Sequence, residues 1–255
     1  MSPFAPYEVH LKNRYSCIGP FGRLKITGIF NMLQDAAVEH AAQLEISGMD
    51  IAKQNLFWVI SRYQLRIGEN PGIGKQLCLS TWRTSANNLY EHRFFRIRDD
   101  RDRTVVNAVG QWVMVNRKNK RPCRLTTFMP ESMLADSVSK PEDPSFPKIV
   151  PLDRSDLEYG FKIRMHDLDL NRHVNNTVYI EWAVETVPGE ILEAFNPAVI
   201  DVRFYKESFY KDHITSGTRI EWKEGLPFTI HSIRKSETGD ELAGININWK
   251  PMEKS

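Results

Sequence analysis

The chain has 255 residues, 41% of them hydrophobic and 26% charged, with a formal net charge of +2. That length supports one large domain or two small ones. The near-neutral balance argues against a dedicated nucleic-acid binder, which would carry a clear basic excess on one face. No apolar run approaches the roughly 18 residues of a membrane span, and the N-terminal "MSPFAPYEVHLKNRY" has no signal-peptide layout. Three widely spaced cysteines, Cys17, Cys78 and Cys123, form no zinc pattern and fit a reducing cytoplasm.

In chain order, an extended opening leads to "TGIFNMLQDAAVEHAAQLEISG" (27–48). There Ile29, Leu33, Ala37, Ala41 and Leu44 keep near-helical spacing, with Thr27 as the expected cap and Gly48 as the expected stop. Its many alanines predict a helix closely surrounded by protein. Four strand-like runs follow, at 56–67, 76–85, 89–98 and 104–116, rich in Trp, Val, Ile, Phe, Tyr and Thr. Pro, Ser and Asp then dominate 128–156, which reads as a linker. The order repeats beyond it: a strand at 159–165, a helix in "NTVYIEWAVETV", and strands at 198–206, 217–223, 228–236 and 241–249. The predicted layout is a unit at 1–130, a linker at 131–156 and a unit at 157–255. The pattern alone supports an α+β fold in two copies.

No G-x-S-x-G elbow occurs, "GIGKQL" (72–77) lacks the glycines of a phosphate loop, and His166 and His173 have no neighbours to complete a metal set. No cofactor is expected. Between the strand at 159–165 and the second helix lies "HDLDLNRHVNN" (166–176), with more hydrogen-bonding side chains than a turn or cap requires. In extended backbone Asp169, Asn171 and His173 share a face at i, i+2, i+4. A carboxylate, an amide and an imidazole there can attack, orient and donate. Asn175 and Asn176 are expected to cap the helix. Trp58, Trp82, Trp112 and Trp182 read as core first and as pocket lining second.

"DLNRHVNNTVYIEW" (169–182) resembles the signature of acyl-acyl carrier protein thioesterases, D-x-N-x-H-V-N-N followed by a helix with Tyr and Trp. "VRFYKES" (202–208) is similar to that family's aromatic-basic-Glu-Cys segment, with Ser208 where the plant enzymes carry Cys. "GIFNMLQDAAVEHA", "NLFWVISRYQLRI" and "QWVMVNRKNKRP" resemble its N-terminal helix and strands, so the likeness covers residues 7–250. It implies a double hotdog, each half a curled antiparallel sheet around one long helix, with the acyl-chain pocket in the first half. It also implies hydrolysis of fatty acyl-acyl carrier protein, with Asp169, Asn171, His173 and Glu207 at the family's catalytic positions. Two mechanisms stay open. In one, Asp169 is nucleophile or base, Asn171 and His173 hold the carbonyl and Glu207 activates water. In the other, Ser208 attacks with His173 as its base. The alternative functions are a hotdog enzyme acting on coenzyme A thioesters and a non-catalytic acyl-binding protein. Without the plants' transit peptide the chain looks like a bacterial relative, as a monomer or a homodimer. Its partner is expected to be acyl carrier protein, which is strongly acidic. The basic run "NRKNKRPCR" (116–124) is either a solvated strand end or a docking patch using Lys118, Lys120, Arg121 and Arg124.

Overall fold

The computed structural model describes residues 5–69, 71–85, 88–130, 133–134 and 146–252, and the chain divides into two compact units at Ser145/Phe146. Among the described residues no helix is long and apolar enough to cross a membrane. In the N-terminal unit β1 (Tyr7–Lys12) is followed by helix α1 (Ile26–Gln43), a short α2 (Gly48–Ala52), and strands β2 (Leu56–Ile67), β3 (Gln76–Ser85), β4 (Tyr90–Arg98) and β5 (Thr104–Asn116). All pairings are antiparallel, in the order β1-β3-β4-β5-β2.

Helix α1 buries Ile29, Phe30, Leu33, Ala36, Ala37 and His40, one stripe at helical spacing, toward β3 and β1. Phe30 meets the Tyr63 ring edge-on at 5.1 Å, and Tyr63 stacks on Phe95. The helix begins one residue before Thr27, with Lys25 as an N-cap whose side chain makes no capping bond. It also stops five residues short of Gly48. Glu45 takes the left-handed conformation (φ 58°), and the N–H groups of Ile46 and Glu45 return to the carbonyls of Ala41 and Ala42. This closes the helix in a Schellman turn. Gly48 then opens α2, because Ser47 and Asp50 form a capping box.

In the C-terminal unit β6 (Leu157–Lys162) is followed by α3 (Asn176–Glu185), α4 (Gly189–Ala194), β7 (Phe195–Phe204), β8 (His213–Lys223), β9 (Leu226–Lys235) and β10 (Glu241–Pro251). The order β6-β8-β9-β10-β7 repeats that of the first unit, again antiparallel, with α3 packed on β8, β9 and β10. The fold is the α+β double hotdog, two units in tandem along the chain. Residues 131–132 and 135–145 of the expected linker lie outside the described residues. Residues 146–156 belong to the C-terminal unit. Leu152 is buried against Phe228 and Ile230, Asp153 pairs with Arg219, and the N–H of Asp156 donates to the carbonyl of Thr218. Gly217 admits this arm, since a Cβ there would lie 2.6 Å from Ser155 Oγ.

The core beneath α3 holds a polar chain. Trp249 Nε1 donates to Thr229 Oγ1 (3.0 Å), the two ring nitrogens of His231 meet Thr229 and Thr218 (2.8 and 2.7 Å), and Thr218 meets Thr186 (2.6 Å). Thr186 donates its proton to the Ala183 carbonyl, so it accepts from Thr218. Thr218 in turn accepts from His231 Nδ1–H, and Nε2 accepts from Thr229. In this arrangement one ring nitrogen of His231 donates and the other accepts, as in a neutral imidazole. Burial pushes its pKa down to about 3. In the N-terminal unit burial, helped by Arg93 and Arg83, pushes His40 down to about 4.

An unfolded histidine takes up its proton near pH 6.5, so below that value the unfolded state binds more protons and stability falls with pH. Each unit should lose about 1.4 kcal/mol per pH unit between pH 6 and 5, above most carboxylate titration. Urea unfolding across that window checks this; a flat stability profile would contradict it.

Candidate active site

The polar segment before α3 folds as a tight turn rather than as extended strand. Strand β6 ends at Lys162, and Met165–Asp167 make one 3₁₀ turn. Asp167 is buried, and its carboxylate accepts from the Arg164 N–H (2.7 Å) and from the Arg164 guanidinium (2.8 Å). Its carbonyl accepts from Asn175 N–H (2.8 Å). Leu168 bridges to Val174, and Asp169 N–H donates to the His173 carbonyl (2.8 Å). Asp169 Oδ1 accepts from the N–H groups of Asn171 (2.8 Å) and His173 (3.1 Å). This local bonding folds the chain back, so the alternation that would align Asp169, Asn171 and His173 on a strand face does not apply. Arg172 sits at φ 63°, and Leu170 and Asn171 lie on the exposed tip. Asn175 caps α3 by accepting from Thr177 N–H (3.0 Å), while Asn176 is the first helical residue.

Glu207 and Ser208 follow β7 and dock onto this turn. Val174 N–H donates to the Ser208 carbonyl (3.1 Å), and His173 Nδ1 lies 3.3 Å from Glu207 Oε1. The Phe209 ring meets the imidazole edge-on at 5.3 Å. A carboxylate 3.3 Å from Nδ1 favours the tautomer with its proton on Nδ1 and Nε2 as the acceptor. His173 keeps 21% of its side-chain surface open to solvent.

Ser208 is different in kind. It is fully buried, and its Oγ lies 2.6 Å from the hydroxyl of Tyr179 on α3. Burial pushes the Tyr179 phenol up to about 12, so that hydroxyl is no base near neutral pH.

Of the five residues picked from the sequence, Asp169, His173, Glu207 and Ser208 come together within one turn and the segment docked on it, and Asn171 stands at the tip. Sequence reasoning missed Tyr179 as the partner of Ser208 and Phe209 as the support of His173. Phe209 directly follows Ser208 in the sequence, but nothing local links it to His173 or links Tyr179 to Ser208, 29 positions away.

Two tandem hotdog units, with a histidine–carboxylate contact at the turn before the second helix, define a double-hotdog chain with a candidate hydrolytic site. The Acyl-ACP thioesterase N-terminal domain family matches residues 6–131 and the Acyl-ACP thioesterase C-terminal domain family matches 152–251. The chain belongs to the acyl-ACP thioesterase family. It is 26% identical over 268 residues to the chloroplastic dodecanoyl-[acyl-carrier-protein] hydrolase of Cinnamomum camphora, covering 97% of this chain and 69% of that protein. It is 24% identical over 247 residues to the chloroplastic acyl-[acyl-carrier-protein] hydrolase FATB2 of Cuphea viscosissima, covering 92% of this chain. The chain spans 60% of that relative's length. The 12:0-ACP thioesterase from Umbellularia californica has the same fold, with a TM-score of 0.85 at 23% identity over 97% of this chain and 94% of its own.

Proposed function

We propose that the chain hydrolyses the thioester of fatty acyl-acyl carrier protein, releasing the free fatty acid and the carrier thiol. The contact between His173 Nδ1 and Glu207 carries this reading, supported by the family membership. Glu207 holds the imidazole with Nε2 free to take a proton from water. The water oxygen bonds to the thioester carbonyl carbon, the carbonyl oxygen becomes an oxyanion, and the C–S bond then breaks. The sulfur leaves with the proton that His173 received. Asn171 is the donor proposed for the oxyanion, and Asp169 keeps the turn shaped so that Asn171 and His173 stay in reach.

The buried hydroxyl of Ser208, bonded to a phenol rather than to a histidine, favours water over serine attack. Ser208→Ala should therefore keep more than about a tenth of the activity. An acyl-serine trapped by mass spectrometry, with a loss at Ser208 equal to that at His173, would reverse the mechanism. The three cysteines are unpaired, which fits a cytoplasmic setting for this activity.

The function is tested by offering the purified protein acyl-carrier-protein and acyl-coenzyme A thioesters of several lengths and measuring free thiol. Faster release from the carrier protein supports the proposal. Preference for coenzyme A substrates, or no release from any, would sink it.

A further inference from the structure

The rim of the candidate site carries a combination that the chemistry of hydrolysis does not use. Leu170 is 98% exposed at the tip of the turn, an unusual place for a leucine. Phe209 and Tyr210, on the segment docked against that turn, are also about half exposed. The two segments, joined through Val174 and Ser208 and through His173 and Glu207, carry three large exposed apolar side chains between them. Scattered exposed apolar residues need no explanation, but a cluster rimming a site marks an interaction surface.

The charges of the same rim are sorted. Asp167 faces Arg164 and Asp212 faces Lys235 and the N–H of Phe209, whereas Asp169, half-buried, bonds two backbone N–H groups and Glu207, its side chain 34% exposed, lies beside His173. Two cations are not matched in this way. Arg172 and Lys211 are exposed, and among the described residues neither makes an ion pair. The Lys211 ammonium instead lies 5.4 Å from the centre of the Tyr210 ring. Both residues hold left-handed backbone, φ 63° and 71°, where glycine or asparagine would fit with less strain. Long cationic side chains at two strained turn apices, beside three exposed apolar groups, make a surface that attracts an acidic partner and then grips it.

We infer that Leu170, Arg172, Phe209, Tyr210 and Lys211 form the docking surface for the acidic carrier protein that delivers the acyl chain. The inference rests on the thioesterase reading and adds where the partner sits. Arg172 and Lys211 raise the encounter rate, and the apolar trio slows departure. In this account the basic turn at 116–124 is a solvated strand end. There Arg117 and Lys120 lie over the Phe57 ring, and Asn116 caps the turn.

The test combines binding with turnover. Wild type, Arg172→Glu/Lys211→Glu and Leu170→Asp are titrated with thiol-form acyl carrier protein at low salt. The same proteins are assayed on acyl-carrier protein and on a small acyl thioester without protein. Glutamate already occupies left-handed backbone at Glu45 and Glu224 in this chain, so the charge reversals are expected to fold. Carrier binding and kcat/KM on the acyl-carrier protein should both fall about tenfold or more, while the small thioester stays within about twofold. The salt dependence of wild-type binding should flatten in the charge-reversed variant.

Unchanged carrier binding in the variants, or no carrier binding by wild type, would overturn the surface. So would equal losses on both substrates, or a loss that appears only when Lys118, Lys120, Arg121 and Arg124 are reversed. A wild type that binds the carrier through this rim but releases no thiol would keep the surface and overturn the hydrolase reading.

Discussion

Glu91→Ala should destabilise the N-terminal unit by about 3–5 kcal/mol, the range for removing one member of a buried ion pair. Glu91 on β4 pairs with Arg83 on β3, lies 3.9 Å from Arg93, and all three are almost fully buried. Burial by itself would push the Glu91 carboxyl up, but Arg83 and Arg93 beside it hold it below its usual range. Burial also pushes Arg93 down to about 10 despite the pull of Glu91. Arg93 in turn lies 2.9 Å from His40 Nδ1, and Arg83 donates to the Met133 carbonyl. Truncating Glu91 would leave two guanidinium groups in a dry interior with no countercharge. Replacing Arg83 as well, as in Arg83→Met/Glu91→Leu, should recover the part of the loss due to the stranded Arg83, because apolar groups of similar volume need no partner, while Arg93 still lacks its carboxylate. Chemical denaturation of the single and double variants measures this. A Glu91→Ala protein as stable as wild type would show that the pair is not the keystone of that unit.

The second large effect concerns turnover. His173→Ala and Glu207→Ala should each lower kcat on an acyl-carrier-protein substrate by about a hundredfold to a thousandfold, while their thermal unfolding stays close to wild type. Both side chains are partly exposed, so neither change opens a cavity in the core. Removing the imidazole deletes the proton acceptor. Removing the carboxylate leaves an imidazole whose tautomer and orientation are no longer set. Asp169→Asn should cost less, about tenfold, because an amide oxygen can still accept from the N–H groups of Asn171 and His173. Steady-state kinetics on the three purified variants give the ranking. An Asp169 variant as inactive as the His173 variant would assign the carboxylate a direct chemical part.

Much of this molecule was legible in the sequence because period and composition act locally. The strands from Leu56 to Asn116 and from Phe195 to Pro251 follow β-branched and aromatic runs, and both long helices follow apolar spacing. The end of α1 was misjudged because a glycine is the usual stop, whereas here Glu45 takes the left-handed position and Ser47 restarts the chain. Residues 146–156 read as a linker from Pro, Ser and Asp, but composition does not register a single Leu152 reaching a core. The shape of the polar turn was hidden because Asp169 bonds its own neighbours' backbone, a choice that alternation does not encode. Least legible were the buried polar groups. Arg83, Glu91 and Arg93 look like the outward face of two strands, and the Thr218–His231–Thr229 chain looks like ordinary alternation. Their burial is decided by pairing across strands that are distant in sequence.

The central claim is that His173 and Glu207 act as one unit on the acyl-carrier-protein thioester. A double-mutant cycle on thiol release tests it most directly, with His173→Ala, Glu207→Ala and the double variant compared to wild type. If the pair is one proton-accepting unit, the double variant should be about as slow as the slower single variant, since the first substitution already removes what the second would. Losses that multiply, or a single variant that turns over near the wild-type rate, would contradict the account.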